Sequence, residues 1–287
     1  MYEDNPGSAI YYNLLQAMYE KHQTRVDVAG TVESVAQITP ELLYDCYNTF
    51  YNFSNMTLCV SGRTDMQTVL AIADRVLPER EPKSIYRRYH DEKPEVFQSR
   101  VSEAFEVSRP MFLLGVKDMD ISEDPDIRMK KRVAMSILTD MLFGPTSEFA
   151  IDVYESGLVN GFEASYDHSF ESSRIFLEGE TDDPEEFYEK FLAYLNEIRE
   201  KGLNEDDFNR IKRATYASYI KVFDSTKLAR EFTNMINDGC DPFAFGEALK
   251  NATFEEVKAL FHSLFKEEYY AMSTVVPMEN GKDDDNE

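Results

Sequence analysis

The sequence predicts an α+β fold: a mainly antiparallel sheet packed with helices, with a truncated first module followed by a complete second module. Three observations predict it. Strand-like runs are grouped before and after paired helical stretches, without the strict strand–helix alternation of a parallel doubly wound sheet. Hydrophobic residues make up 43% of the 287 residues and aromatics 13%, a globular composition long enough for about two cores. One passage also occurs twice, as Thr39-Pro40-Glu41-Leu42 through Phe50 into Met56–Val60, and as Thr253-Phe254-Glu255-Glu256 through Leu264 into Tyr270–Val276. Counting from Glu95, about 158 residues precede the second copy and only about 38 precede the first, so if the two modules match, roughly 120 residues of the first are expected to be absent from the chain.

The elements follow in order. Ile10, Leu14, Leu15 and Met18 recur at helical spacing between Pro6 and Tyr19. Thr39 followed by Pro40 marks an N-cap and a proline at the first helical position, opening a helix with Leu43, Cys46, Tyr47 and Phe50 on one face. Residues 56–62 form a short apolar strand, and Asp65 opens a helix carrying Val69, Ile72, Ala73 and Val76. One strand among three helices would leave both its edges open, a second sign that strands are missing. Pro78, Pro82 and Pro94 among charges make a linker.

Beyond the linker, strands are expected at 101–107 and 111–116, then a helix with Val133, Ile137 and Met141, and a Gly144-Pro145 break before a short helix from Ser147 to Glu155. Two further strands fall near 161–166 and 174–178. Asp183-Pro184-Glu185-Glu186 starts a helix that ends near Gly202, Asn204 starts a longer one, and Thr253…Glu256 is a capping box. The domains are therefore 1–77, the C-terminal part of a first module; 78–94, a linker; 95–276, a second module; and 277–287, an acidic tail.

The formal net charge of −24 repels phosphate backbones and anionic membranes, which argues against nucleic-acid and membrane partners. No apolar run reaches the ~18 residues a membrane span needs, and the N-terminal residues do not resemble a signal peptide. The three cysteines, Cys46, Cys59 and Cys240, lack metal-like spacing; Cys46 and Cys59 are expected in the core, and a reduced, cytoplasmic compartment fits. The four histidines, His22, His90, His168 and His262, have no second histidine at i+3 or i+4, and neither H-E-x-x-H nor H-x-x-E-H occurs. Gly30 and Gly62 stand apart from any phosphate loop, and Val60-Ser61-Gly62 lacks the first glycine of a nucleophile elbow, so Ser61 is a strand-end residue. Glu185/Glu186 and Asp206/Asp207 sit at helix N-termini, where the dipole favours them. Tyr11, Tyr12 and Tyr19 are core or interface aromatics. No residue is assigned a catalytic, cofactor or metal role.

The stretch Asp27-Val28-Ala29-Gly30-Thr31-Val32-Glu33-Ser34-Val35, followed by Ile38-Thr39-Pro40-Glu41-Leu42-Leu43, Tyr51-Asn52-Phe53-Ser54-Asn55-Met56 and Val60-Ser61-Gly62, resembles the insulinase/pitrilysin family of zinc metallopeptidases. It is most similar to the bacterial, processing-peptidase-like members with two modules per subunit. Met1–Pro6 looks like the segment after that family's third zinc ligand, and Pro145–Phe149 with Tyr154–Val159 resembles its small-residue turn and short helix.

The resemblance implies that the H-x-x-E-H helix, a downstream glutamate and hence every zinc ligand lie before Met1. The chain alone should then bind no catalytic zinc and hydrolyse no peptide bond. It implies a C-terminal portion of an endopeptidase subunit that contributes to a substrate chamber and to module or subunit contacts. The partners implied are a polypeptide substrate and a second peptidase-like subunit or a second copy of the chain. The family's substrate-holding arginine and tyrosine correspond here to Tyr154 and Asn160; both depart from the pattern and receive no such role. The alternative is a naturally non-catalytic, peptidase-like scaffold or partner subunit, which the coding sequence upstream of Met1 would separate from the first reading.

Overall fold

A computed structural model describes residues 5–78, 81–86, 88, 90–169 and 171–278. Most of the expected acidic tail lies outside the described residues. The first helix, α1 (Pro6–Met18), starts where the Asn5 side chain accepts the Ser8 N–H. Three more follow before residue 77: α2 (Val32–Ala36), α3 (Pro40–Phe50, capped by Thr39) and α4 (Met66–Val76, capped by Asp65). The region after the linker contains β1 (Arg100–Phe105), β2 (Met111–Asp118), α5 (Pro125–Phe143), α6 (Glu148–Glu155), β3 (Asn160–His168), β4 (Ser173–Glu180), α7 (Pro184–Lys201), α8 (Glu205–Val222), α9 (Leu228–Asn237), α10 (Ala244–Asn251), α11 (Phe254–Leu264) and β5 (Tyr270–Pro277).

The five strands make one sheet in the order β1-β5-β2-β4-β3. It is a mixed sheet: β2–β4, β2–β5 and β3–β4 are antiparallel, as the mainly antiparallel expectation has it, while β1 runs parallel to β5. No hairpin joins β1 to β5, so nothing forces them to be antiparallel. Strand alternation divides the core. Phe112, Leu114 and Val116 of β2 and Tyr270 and Met272 of β5 point towards Val133, Ile137, Phe143, Phe187 and Phe191 of the helical layer. Leu113, Ala271 and Val275 point the other way, onto Ile10, Leu14, Leu15 and Met18 of α1. Thus α1, early in the chain, closes the second face of a sheet built from residues 100–277.

A buried ion pair locks α1 in place. Lys117, on the α1 side of β2, donates from Nζ to Met18 O (2.8 Å), Glu95 O (2.9 Å) and Glu92 Oε1 (2.9 Å). The Glu92 carboxylate in turn accepts the backbone N–H groups of Glu20, Lys21 and His22. The side chains of Lys117 and Glu92 are 0% and 1% exposed. Hydrogen bonds from Lys117 and from those backbone amides outweigh desolvation and hold the Glu92 carboxyl at about 2. Gly115, also on this face, allows close approach: a Cβ there would lie 2.6 Å from Met18 Sδ and 3.2 Å from Leu14 Cδ2.

The repeated passage is repeated in structure. Thr39 and Thr253 both cap helices of 11 residues through their side chains, and 3₁₀ turns follow at Phe53–Asn55 and Glu267–Tyr269, each pair of positions 214 residues apart. The copies then diverge. Residues 270–277 form β5 between β1 and β2, whereas residues 56–62 form no strand, contrary to expectation. A strand is defined by its ladder, and among the described residues nothing pairs with this segment. For the same reason α2, α3 and α4 bury no side chain. Cys46 is exposed and Cys59 half-exposed, which corrects their expected core placement; Cys240 is buried. Also unforeseen were α9 and α10, whose starts carry no side-chain cap hydrogen bond and so no N-cap signature.

Two outcomes are expected from this packing. Glu92→Ala should leave the Lys117 ammonium buried without its counter-charge and lower the unfolding free energy by about 3–5 kcal/mol in urea titrations. Because the folded Glu92 pKa of about 2 lies below the ordinary 4.5, its stabilisation is complete above about pH 4.5 and is lost as pH falls towards 2; the variant should lose that part of the acid dependence. Separately, Gly115→Val should push Met18 and Leu14 off the sheet and cost about 1–3 kcal/mol in the same assay.

Candidate functional site

The sheet ends at β3, whose outer side carries no neighbouring strand among the described residues. Along that edge, on the α1 face, runs a groove of about 790 Å³. Its floor is Leu113, Phe176 and Gly179; Gly7, Ser8, Tyr11 and Tyr12 of α1 form one wall, and Asn160, Glu163 and Ser165 of β3 the other. Tyr11 lies against Phe176 with ring centroids 5.9 Å apart. The edge opens with an irregularity between Asn160 and Glu163, where Gly161 takes φ +65°, a conformation L side chains rarely adopt.

The groove is acidic in an unusual way. Glu163 and Glu178 are directly opposed across the β3–β4 ladder, and Glu180 faces Asn160, whose Nδ2 donates to Glu180 Oε2 at 3.4 Å. Like charges directly opposed in a sheet are locally destabilising. Burial, then the Glu163 charge, raises the Glu178 pKa. A costly carboxylate pair beside an open strand edge can receive a cationic, extended chain. These carboxylates were not singled out from sequence. The available signal was the Glu178-x-Glu180 alternation on a strand, but the partner Glu163 emerges only from the pairing register.

The residues singled out from sequence are dispersed. His22 is buried at a 3₁₀ start, where its Nδ1 accepts the Thr24 N–H at 3.2 Å, and it shares a cleft of about 320 Å³ with His90 and Glu171. His168 ends β3, with Nδ1 3.0 Å from Ser173 Oγ, and His262 sits in the last turn of α11. Tyr19 is fully buried beneath α1, and Tyr11 and Tyr12 are half-buried at the groove. Ser61 donates to Thr226 O at 2.7 Å. Glu185/Glu186 and Asp206/Asp207 occupy the first turns of α7 and α8. Asn160 lines the groove, while Tyr154 is exposed on α6 away from it.

Among the described residues, no three His, Cys, Asp or Glu side chains converge as metal ligands would. The described residues therefore do not fit the zinc ion that the resemblance implies for a complete enzyme. Also among the described residues, no helix is long and apolar enough to cross a membrane.

Comparison with known proteins places this geometry. A family model described as "Peptidase M16 inactive domain" matches residues 37–215. The uncharacterized zinc protease YmfH of Bacillus subtilis (strain 168) is 27% identical over 286 residues, covering 96% of this chain and 66% of its own length. A putative M16-like peptidase from Alicyclobacillus acidocaldarius superposes with a TM-score of 0.90 at 32% identity, over 97% of this chain and 67% of that one. A protease from Helicobacter pylori shares the fold, with a TM-score of 0.81 at 15% identity over 96% of this chain and 68% of that one. The chain thus spans about two thirds of the length of these relatives.

Gly161→Ala should strain the backbone at the mouth of the groove and lower the unfolding free energy by about 1–2 kcal/mol, read by urea denaturation.

Proposed function

The chain belongs to the M16 peptidase family, the insulinase/pitrilysin group, and on that premise we propose that it is the C-terminal, non-catalytic portion of a zinc-dependent endopeptidase subunit. In this role it supplies one wall of the chamber that holds a polypeptide and the surfaces on which the remaining module or a second subunit closes. The zinc ligands and the water-activating glutamate belong to residues outside this chain.

The observation that carries the reading is the Glu163–Glu178 pair along the open edge of β3. An extended polypeptide can add to such an edge through main-chain hydrogen bonds, which accept any sequence, while the carboxylates favour lysine and arginine. A net charge of −24 extends that preference by attracting basic chains from a distance. The second surface is the apolar face of the first-module elements. Leu43, Tyr47, Met56, Leu58, Val60, Ile72 and Val76 are exposed there. Relatives in which about a third of the length lies outside the match have the chain length to cover such a face, and a second peptidase-like subunit or second copy is the further partner. Three free cysteines are compatible with a reduced compartment, and we assign the cytoplasm.

Fluorescence anisotropy with a labelled, extended, lysine-rich peptide tests the groove. Binding should weaken with salt and fall at least about tenfold in Glu163→Lys, whose charge now repels the ligand. Binding should also weaken on acidification from a pH above the ordinary glutamate value of 4.5, because Glu178 takes up its proton early. Salt-independent binding, unchanged by Glu163→Lys, would remove the groove from the mechanism.

Equilibrium dialysis should show no stoichiometric zinc on the chain, and an unfolded peptide pool should remain uncut. Tight zinc binding with chelator-sensitive cleavage would mean that the active site has been misplaced.

A further inference from the structure

A second cavity, of about 500 Å³, lies on the opposite side of the sheet, away from the peptide groove. It is an open cavity lined by α5, the end of β3, α8, the turn at 225–227, α9 and the start of α10. Its wall is mostly apolar, built by Val222, Phe232, Met235 and Phe245. Three cations also line it, Arg132, Lys221 and Lys227, against one carboxylate, Glu231. A concave surface with excess positive charge is unexpected in a chain of net charge −24.

Arg132 decides what the cavity suits. Two of its three basic neighbours on α5 are hydrogen-bonded to the fold, and the third, Lys130, is exposed. Arg128 donates to Ser122 O, Glu123 O and Asp238 O, and Lys131 to Asp118 Oδ1 and Asp120 O. The guanidinium of Arg132 is half-buried, yet among the described residues no hydrogen bond or ion pair engages it. A guanidinium presents five N–H donors in a planar fork that fits a carboxylate with two parallel bonds. Polar groups already committed elsewhere do not compete: the Tyr166 hydroxyl bonds Asp118 Oδ2 at 3.1 Å, and His168 Nδ1 contacts Ser173 Oγ. His168 does not add to the positive charge, because burial, followed by Arg132, lowers its pKa to about 4.

We infer that this cavity is a binding site for a small carboxylate with an apolar body, its carboxylate on Arg132 and its apolar part against Phe232, Met235 and Phe245. The single Glu231 and the apolar walls disfavour multiply charged anions such as phosphates. The same chemistry is offered by a free medium-chain acid and by the C-terminal residue of a short peptide.

Isothermal titration of the whole chain with sodium octanoate and with N-acetyl-Leu-Phe, each beside its neutral counterpart (octan-1-ol and N-acetyl-Leu-Phe amide), tests the site. Both acids should bind more tightly than their neutral counterparts, by about tenfold or more for a lost bidentate charged pair. The better-bound acid identifies the natural source. Arg132→Gln should weaken both acids by a similar factor and leave the neutral compounds unmoved. The chain has no tryptophan, so Phe245→Trp gives a single reporter in a chain that keeps Arg132. Its emission should shift saturably with octanoate and not with octan-1-ol. The site is overturned if acids and neutral compounds bind alike, if neither acid binds at millimolar concentration, or if Arg132→Gln leaves acid binding unchanged. A reporter that fails to distinguish octanoate from octan-1-ol overturns it equally.

Discussion

The arrangement of the molecule depends on the buried Lys117–Glu92 pair. Without it α1 would be an amphipathic helix near a sheet; with it, the end of α1, the passage around residues 92–95 and the C-terminal end of β2 are tied at one point. A lysine inside a strand is costly unless every donor is met, and here its ammonium finds two carbonyls and a carboxylate. The carboxylate is in turn satisfied by three successive backbone N–H groups. Removing any member leaves others unpaired, so the network is all-or-none, and the position of α1, which walls the groove, depends on it.

Much of the fold was legible because local signals agreed with tertiary structure. Thr39, Asp65, Ser147, Asp183, Asn204 and Thr253 each announced a helix by side-chain capping, and each caps one. Where a segment depends on a partner, the sequence misled. The apolar run 56–62 has strand composition, but strand formation requires a neighbour. Cys46 lies on the apolar face of α3, but burial requires something to pack on that face. The parallel β1–β5 pairing was invisible because periodicity reports which side chains share a face and not the direction of the next strand.

The candidate site was barely legible, and for a similar reason. Motif searching looks for chemistry-bearing residues close in sequence, and here it returned no candidate. The groove is made instead by Glu163 against Glu178 and by α1 against β3, relations set by ladder register and by the Lys117 clamp. Arg132 is a parallel case: the four basic residues Arg128, Lys130, Lys131 and Arg132 of α5 look equivalent in sequence, and only their surroundings separate the two that staple the fold from the exposed Lys130 and from Arg132, which lines the cavity.

The parallel pairing of β1 with β5 also bears on how the molecule is made. β5 is held between β1 and β2, yet among the described residues it is the last strand in sequence, with about 170 residues between paired positions 100 and 272. During synthesis β1 and β2 leave the ribosome long before the strand that joins them, so the sheet stays open until β5 emerges. Until then the nascent chain carries open strand edges, and a stop codon only a few residues before Tyr270 would remove the strand on which β1 and β2 both pair, leaving β1 with no neighbour in the sheet.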